Sequence, residues 1–149
     1  MKLLIMFLAS ALMICGCISE TAPNEEEDIG PVEEEMMNSK YMAFDKASYL
    51  QAKEDNMVIF LEFYANWCPV CKSQEPEIEN AFSEINDMNI VGFRVNYKDS
   101  DTDKDEVELA REFGITYQHT HVIIKNGEVI EKSQEFWDKE RILEALEVS

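Results

Sequence analysis

The sequence predicts an α/β domain in which a central sheet of parallel and antiparallel strands is covered by helices on both faces. Three observations carry that expectation. From residue 41 onward, apolar residues at helical spacing alternate with β-branched and aromatic runs of strand length. Asn126-Gly127 lies between two such runs, the strongest short signal for a hairpin. With five glycines and four prolines in 149 residues and no segment repeating at solenoid period, collagen-like, low-complexity and repeat architectures are excluded.

Tyr41, Phe44, Ala47, Tyr49 and Leu50 fit an amphipathic first helix, and Met57 to Tyr64 reads as the first strand. A second helix starts near Cys68 and runs past Pro76, with Ile78, Ala81, Phe82 and Ile85 on one face. Asn89 to Tyr97 forms the next strand. Val107, Ala110, Arg111 and Phe113 give a short helix ended by Gly114. Thr120 to Lys125 and Val129 to Lys132 flank the hairpin turn, and Ile142, Leu143, Ala145 and Leu146 mark a closing helix. The expected order is α-β-α-β-α-β-β-α. Phe136-Trp137 ends the last strand in this reading and packs under the closing helix.

Thirty-one acidic residues against thirteen basic ones give a net charge of −18. Such a chain has no electrostatic footprint for nucleic acid or anionic headgroups. The length suits one domain. Residues 1–17 read as an address: Met1-Lys2, an apolar run from Leu3 to Ile14, then small residues. The apolar run is shorter than the roughly 20 residues a membrane-spanning helix needs. Ile14-Cys15-Gly16-Cys17 resembles the lipobox of prokaryotic lipoproteins, which makes Cys17 the candidate for lipidation and for the mature N-terminus. Cleavage there removes Cys15. An uncleaved signal anchor or plain secretion are the alternatives, and all three place the remainder outside the cytoplasm, where disulfide chemistry is possible. Residues 18–40, with Glu25-Glu26-Glu27-Asp28 and Glu33-Glu34-Glu35 around Gly30-Pro31, read as an acidic tether that self-repulsion extends. Residues 41–149 form the domain.

Trp67-Cys68-Pro69-Val70-Cys71-Lys72 lies between the first strand and the second helix. A C-x-x-C near a βαβ pattern reads as a redox dithiol. With Cys68 at the helix N-cap, its sulfur faces unpaired backbone N–H groups and the positive end of the helix dipole, which favours the thiolate. Pro69 suits the first helical position, where its missing N–H has no helical partner to lose. Cys71, one turn later, is placed to attack a mixed disulfide on Cys68, so Cys68 is the expected nucleophile and Cys71 the resolving thiol. A structural zinc site wants a second Cys or His pair, and no second C-x-x-C exists. A purely structural disulfide is the remaining alternative.

The run Glu62-Phe63-Tyr64-Ala65-Asn66-Trp67-Cys68-Pro69-Val70-Cys71-Lys72 resembles the active-site region of the thioredoxin family, and the similarity extends over residues 41–149. The resemblance implies a thioredoxin-like fold. Pro76 matches the proline of the family's active-site helix, and Phe113-Gly114-Ile115 with Lys125-Asn126-Gly127-Glu128-Val129 matches the approach to its final hairpin. Trp67, Pro69, Val70 and Lys72 flank the dithiol. The resemblance puts Glu62 at the family's buried acidic position, which assists proton transfer at the resolving cysteine. Arg94 falls where the family often has a lysine, as a possible partner of Glu62 in a proton relay or in a plain ion pair.

One departure stands out. The family's cis-proline, which precedes a threonine in a loop facing the dithiol, is replaced by His119 before Thr120. A cis bond before a non-proline residue costs about 2.5–4 kcal/mol, so Gln118–His119 is expected trans, or strained if cis. His119 and Thr120 then line an altered substrate groove. His119 could tune the thiols, or complete a Cys68, Cys71, His119 site for copper(I) or zinc. His121, two residues on, is expected to enter the interior as a hydrogen-bonded histidine. The acidic run from Asp99 to Glu106 lacks the glycine and glutamate of a calcium loop, with Lys104 and Ala110 in their places, and reads as a solvated connection.

Together these features imply a membrane-tethered, extracytoplasmic thiol:disulfide oxidoreductase that needs no cofactor and acts on disulfide-bearing or thiol client proteins. The resemblance favours a reductant, supplied by a membrane electron donor. A soft-metal-binding lipoprotein is the rival reading.

Overall fold

The computed structural model describes residues 41–147. The leader, Cys17 and the acidic tether lie outside the described residues. Nine elements follow in order: β1 (Tyr41–Ala43), α1 (Lys46–Glu54), β2 (Val58–Tyr64), α2 (Pro69–Glu84), β3 (Ile90–Asn96), α3 (Lys104–Glu112), β4 (Thr120–Lys125), β5 (Glu128–Ser133) and α4 (Lys139–Glu147). The sheet order is β1-β3-β2-β4-β5. β1, β3 and β2 run parallel; β4 and β5 are antiparallel to their neighbours.

Alternation along the central strands divides the core into two layers. Ile59, Leu61 and Phe63 of β2, with Val91, Phe93 and Val95 of β3, pack on Tyr49 and Ala52 of α1 and Leu109 and Ala110 of α3. Phe60 and Ile123 face the other way, onto Ile78, Ala81 and Phe82 of α2 and Ile142, Ala145 and Leu146 of α4. Both faces of the sheet are therefore covered, and α2, which begins at the dithiol, is anchored on the second face.

The chain departs from the sequence expectation at its start. Tyr41 belongs to a three-residue strand paired with β3 and not to the first helix, which begins only after Asp45, whose carboxylate accepts from Ser48 N–H at 2.8 Å. Leu50, expected on the apolar face, is exposed. The acidic run is also more than a solvated connection. Asp103 and Glu106 close a reciprocal capping box at the start of α3, and Glu106, itself buried, accepts from Asn96 N–H at 2.7 Å. Trp137 is buried under α4 as expected, but β5 ends at Ser133 and Phe136 is exposed.

At Gly92 the sheet meets its covering helix with no room to spare: a Cβ there would lie 2.6 Å from Phe82 and 2.8 Å from Tyr41. Gly114, at φ +58°, ends α3 in the left-handed conformation that glycine adopts without strain.

Candidate active site

β2 ends at Tyr64, and a short turn delivers Cys68 to the N-cap of α2 with extended backbone (φ −86°, ψ 112°). Pro69 is the first helical residue, as the missing-donor argument requires. The Cys68 sulfur accepts from Cys71 N–H at 3.3 Å, and the two cysteines are joined as a disulfide with Cα atoms 5.3 Å apart. Cys71 is 0% exposed and Cys68 2%, so a thiolate approaching from solvent meets Cys68. Trp67, 54% exposed, donates its indole N–H to the Lys98 carbonyl at 3.2 Å. Val70 and Lys72 are exposed beside it.

The turn before Cys68 is clamped by the acidic connection after β3. Asn66 N–H donates to Asp99 at 2.8 Å, and the Asn66 amide reaches Ser100 and Asp101. The sequence reading missed this clamp, and nothing local to Asn66 signals it.

Glu62 lies on the α2 side of β2, fully buried. Burial lifts its carboxyl to a pKa of about 7; the Tyr41 hydroxyl, donating at 2.5 Å, and the Arg94 charge hold it down, while Glu75 pushes it up. Desolvation, and then the neighbouring Glu62, raise the Tyr41 phenol well above its ordinary value. Arg94 is in register with Glu62, yet its ion pair is made with Glu75 of α2 and its guanidinium lies 5.2 Å over the Tyr64 ring. The direct Glu62–Arg94 pair expected from sequence is thus replaced by two pairs, Glu62–Tyr41 and Arg94–Glu75. The physical reason is reach: the Glu75 carboxylate on α2 meets the long Arg94 side chain while 38% of that side chain stays exposed, whereas Glu62 is fully buried.

His119 has a trans peptide bond before it and a left-handed backbone (φ 57°), and its N–H donates to the Phe63 carbonyl at 2.7 Å. Its ring is 6% exposed and has no hydrogen-bond partner on either nitrogen; burial lowers its pKa. Thr120 is buried, its hydroxyl donating to the Tyr117 carbonyl at 2.8 Å. His121 enters the interior as expected, stacked at 5.6 Å on Phe60 and 5.1 Å from Trp137, but neither of its nitrogens finds a hydrogen-bond partner. Burial foremost, and then His119, push its pKa down to about 3, with the Glu135 backbone acting the other way.

Among the described residues no three His, Cys, Asp or Glu side chains converge to hold a metal ion. The alternative set Cys68, Cys71 and His119 is not assembled in this disulfide-bonded form, and neither is a calcium set in the acidic connection.

Comparison with known proteins agrees with this geometry. The family model described as Thioredoxin matches residues 38–148. Thioredoxin from Bacillus subtilis is 32% identical over 108 residues, 70% of this chain and 96% of that one. Thioredoxin H4 from Arabidopsis thaliana is 37% identical over 83 residues, 55% of this chain and 63% of the relative, so the match spans less than two thirds of that protein. Among solved structures, Trxlp from Edwardsiella tarda superposes with a TM-score of 0.60 at 24% identity, covering 71% of this chain and 97% of the other. Thioredoxin f from spinach chloroplast gives 0.57 at 20% identity, covering 74% and 93%. These show the fold. The chain belongs to the thioredoxin family, and its domain holds the C-x-x-C as the Cys68–Cys71 disulfide.

Proposed function

We propose that the protein is a lipid-anchored reductant of client disulfides, held on the outer face of the cell membrane by Cys17 and projected from it by the acidic tether. The observation that supports exchange chemistry is the Cys68–Cys71 pair at the N-terminus of α2, with Cys68 at the N-cap and Cys71 fully buried one turn later. In the reduced form, the Cys68 thiolate, favoured by the helix N-terminus, attacks a client disulfide and forms a mixed disulfide while one client thiolate leaves. Cys71 then loses its proton to Glu62, attacks the Cys68 sulfur and expels the second client thiolate. Two electrons pass to the client. The disulfide left on the protein is reduced again by a membrane electron donor.

The lipobox-like Ile14-Cys15-Gly16-Cys17 supports the anchor, and the likeness of the dithiol region to thioredoxins supports the reducing direction. The deciding experiment is a Cys71→Ser trap in cells. Mixed disulfides with extracytoplasmic proteins, released by reductant and absent from Cys68→Ser, are expected; their absence would sink the exchange reading. Labelling with a fatty-acid analogue tests the anchor, which predicts incorporation lost in Cys17→Ser and release of that variant from membranes.

A further inference from the structure

Three buried side chains on the α2 side of the sheet carry polar atoms that no protein group satisfies: Oε1 of Glu62 and both ring nitrogens of His119 and of His121. Unpaired buried polar atoms are costly, and five in one place call for an account. They form a row. Glu62 and His121 are directly opposite in the β2–β4 register, which sets their Cβ atoms about 4.5–5.5 Å apart on one face. The His121 and His119 rings meet edge to face with centroids 5.1 Å apart. Because β4 runs antiparallel to β2, His119 stands at the end of the sheet where β2 leaves for Cys68. Exposure rises along the row, from 0% at Glu62 and His121 to 6% at His119.

We propose that Glu62, His121 and His119 form a proton path that takes the proton of the resolving thiol from the sheet interior to the surface, the two histidines being positioning residues that act through Glu62. The path rests on the exchange reading above. None of the five atoms bonds another directly, so the links of the path are water molecules: a neutral imidazole accepts on one nitrogen and donates from the other, and a water seated between two such groups passes a proton onward. Burial keeps both rings neutral, so each holds the proton only in passing and the transfer from Glu62 to His121 is the uphill step. The charged and titratable groups facing the row do not block it. On β1, Tyr41 occupies Oε2 of Glu62 and leaves Oε1 open. Arg94 of β3 is engaged by Glu75 of α2, and Arg141 of α4, paired with Glu131 of β5, lies over the Trp137 ring at 4.6 Å. The Glu135 backbone approaches His121, and Cys68 and Cys71 stand at the start of α2.

With a client held on Cys68, the Cys71 S–H bond breaks and its proton goes to the Glu62 carboxylate. The Cys71 sulfur forms the bond to Cys68 as the Cys68–client bond breaks, and the electron pair leaves on the client thiolate. The proton on Glu62 passes to His121, from His121 to His119, and from His119 to solvent, where the client thiolate can take it up.

The test uses the reduced full-length protein with glutathione disulfide, quenched in acid and resolved by mass into mixed disulfide and closed disulfide, from pH 5 to pH 9. His121→Phe keeps the ring stack on Phe60 without a titratable nitrogen, and His119→Asn keeps a residue that tolerates a left-handed backbone. In His121→Phe mixed-disulfide formation at Cys68 is expected at the wild-type rate, while in both variants closure by Cys71 slows about tenfold at neutral pH. Closure is also expected to become more steeply dependent on pH. Adding His121→Phe to Glu62→Gln is expected to slow closure no further. Wild-type closure rates and pH profiles in both variants would overturn the path, as would equal slowing of both steps, which marks damage to packing. Should His121→Phe fail to fold, His119→Asn decides alone. If the wild type forms no mixed disulfide, the exchange reading falls and takes the path with it.

Discussion

At the scale of single residues, Glu62 and His121 impose opposite pH dependences on the fold. The Glu62 carboxyl is raised to about 7 when folded, so the native state binds the extra proton and stability falls as pH rises from the ordinary carboxylate value toward 7. His121, lowered to about 3, is protonated in the unfolded chain before the native one, so stability rises with pH between about 3 and 6.5. Where the windows overlap the slopes oppose. Relative to wild type, Glu62→Gln is therefore expected to gain stability between pH 5 and pH 7, by an amount on the order of 3 kcal/mol, and His121→Phe to gain it below pH 6. Urea unfolding across that range measures both, and parallel curves for wild type and variants would contradict the assignments. Cys68, Pro69 and Cys71 were legible in the sequence because their chemistry is local, set by spacing along one helix turn. The Tyr41–Glu62 bond was not, since it joins residues 21 apart through strand register.

At the scale of elements, the misread segment is the shortest strand. Tyr41 and Phe44 are spaced like a helix face, and three residues carry too little alternation to speak against it. β1 exists because β3 offers it an edge, with Tyr41 opposite Gly92. That contact makes Gly92 a sharp test of how α2 sits on the sheet. In Gly92→Ala the new methyl collides with the Phe82 and Tyr41 rings. A loss of about 1–3 kcal/mol is expected by thermal or denaturant unfolding. Displacement of Tyr41 should also raise the Glu62 titration above its wild-type value, as read by carboxyl infrared absorption. A variant as stable as wild type would show that the helix rides further from the sheet than described. The longer elements were read correctly because their periodicity is sustained over two or more turns, or because a hairpin signal fixed both flanks.

At the scale of the whole molecule, the net charge of −18 sets which clients arrive fastest. A cationic peptide disulfide is expected to be reduced several-fold faster than a neutral one of the same length at about 0.01 M salt, where screening extends about 30 Å, and at nearly the same rate at about 1 M, where it extends about 3 Å. Stopped-flow reduction of the two peptides measures this, and a salt-independent ratio would contradict it. The charge was plain in the sequence; which acidic groups fold inward, as Glu62 and Glu106 do, was not, because burial is decided by neighbours distant along the chain. A last consequence concerns the buried Gln74 of α2, which receives the Trp137 N–H at 2.9 Å and donates to the Trp137 carbonyl at 2.6 Å. This two-point bond rivets the active-site helix to the segment that launches α4. Deuterium should therefore enter the Trp137 amide only as fast as the whole domain opens.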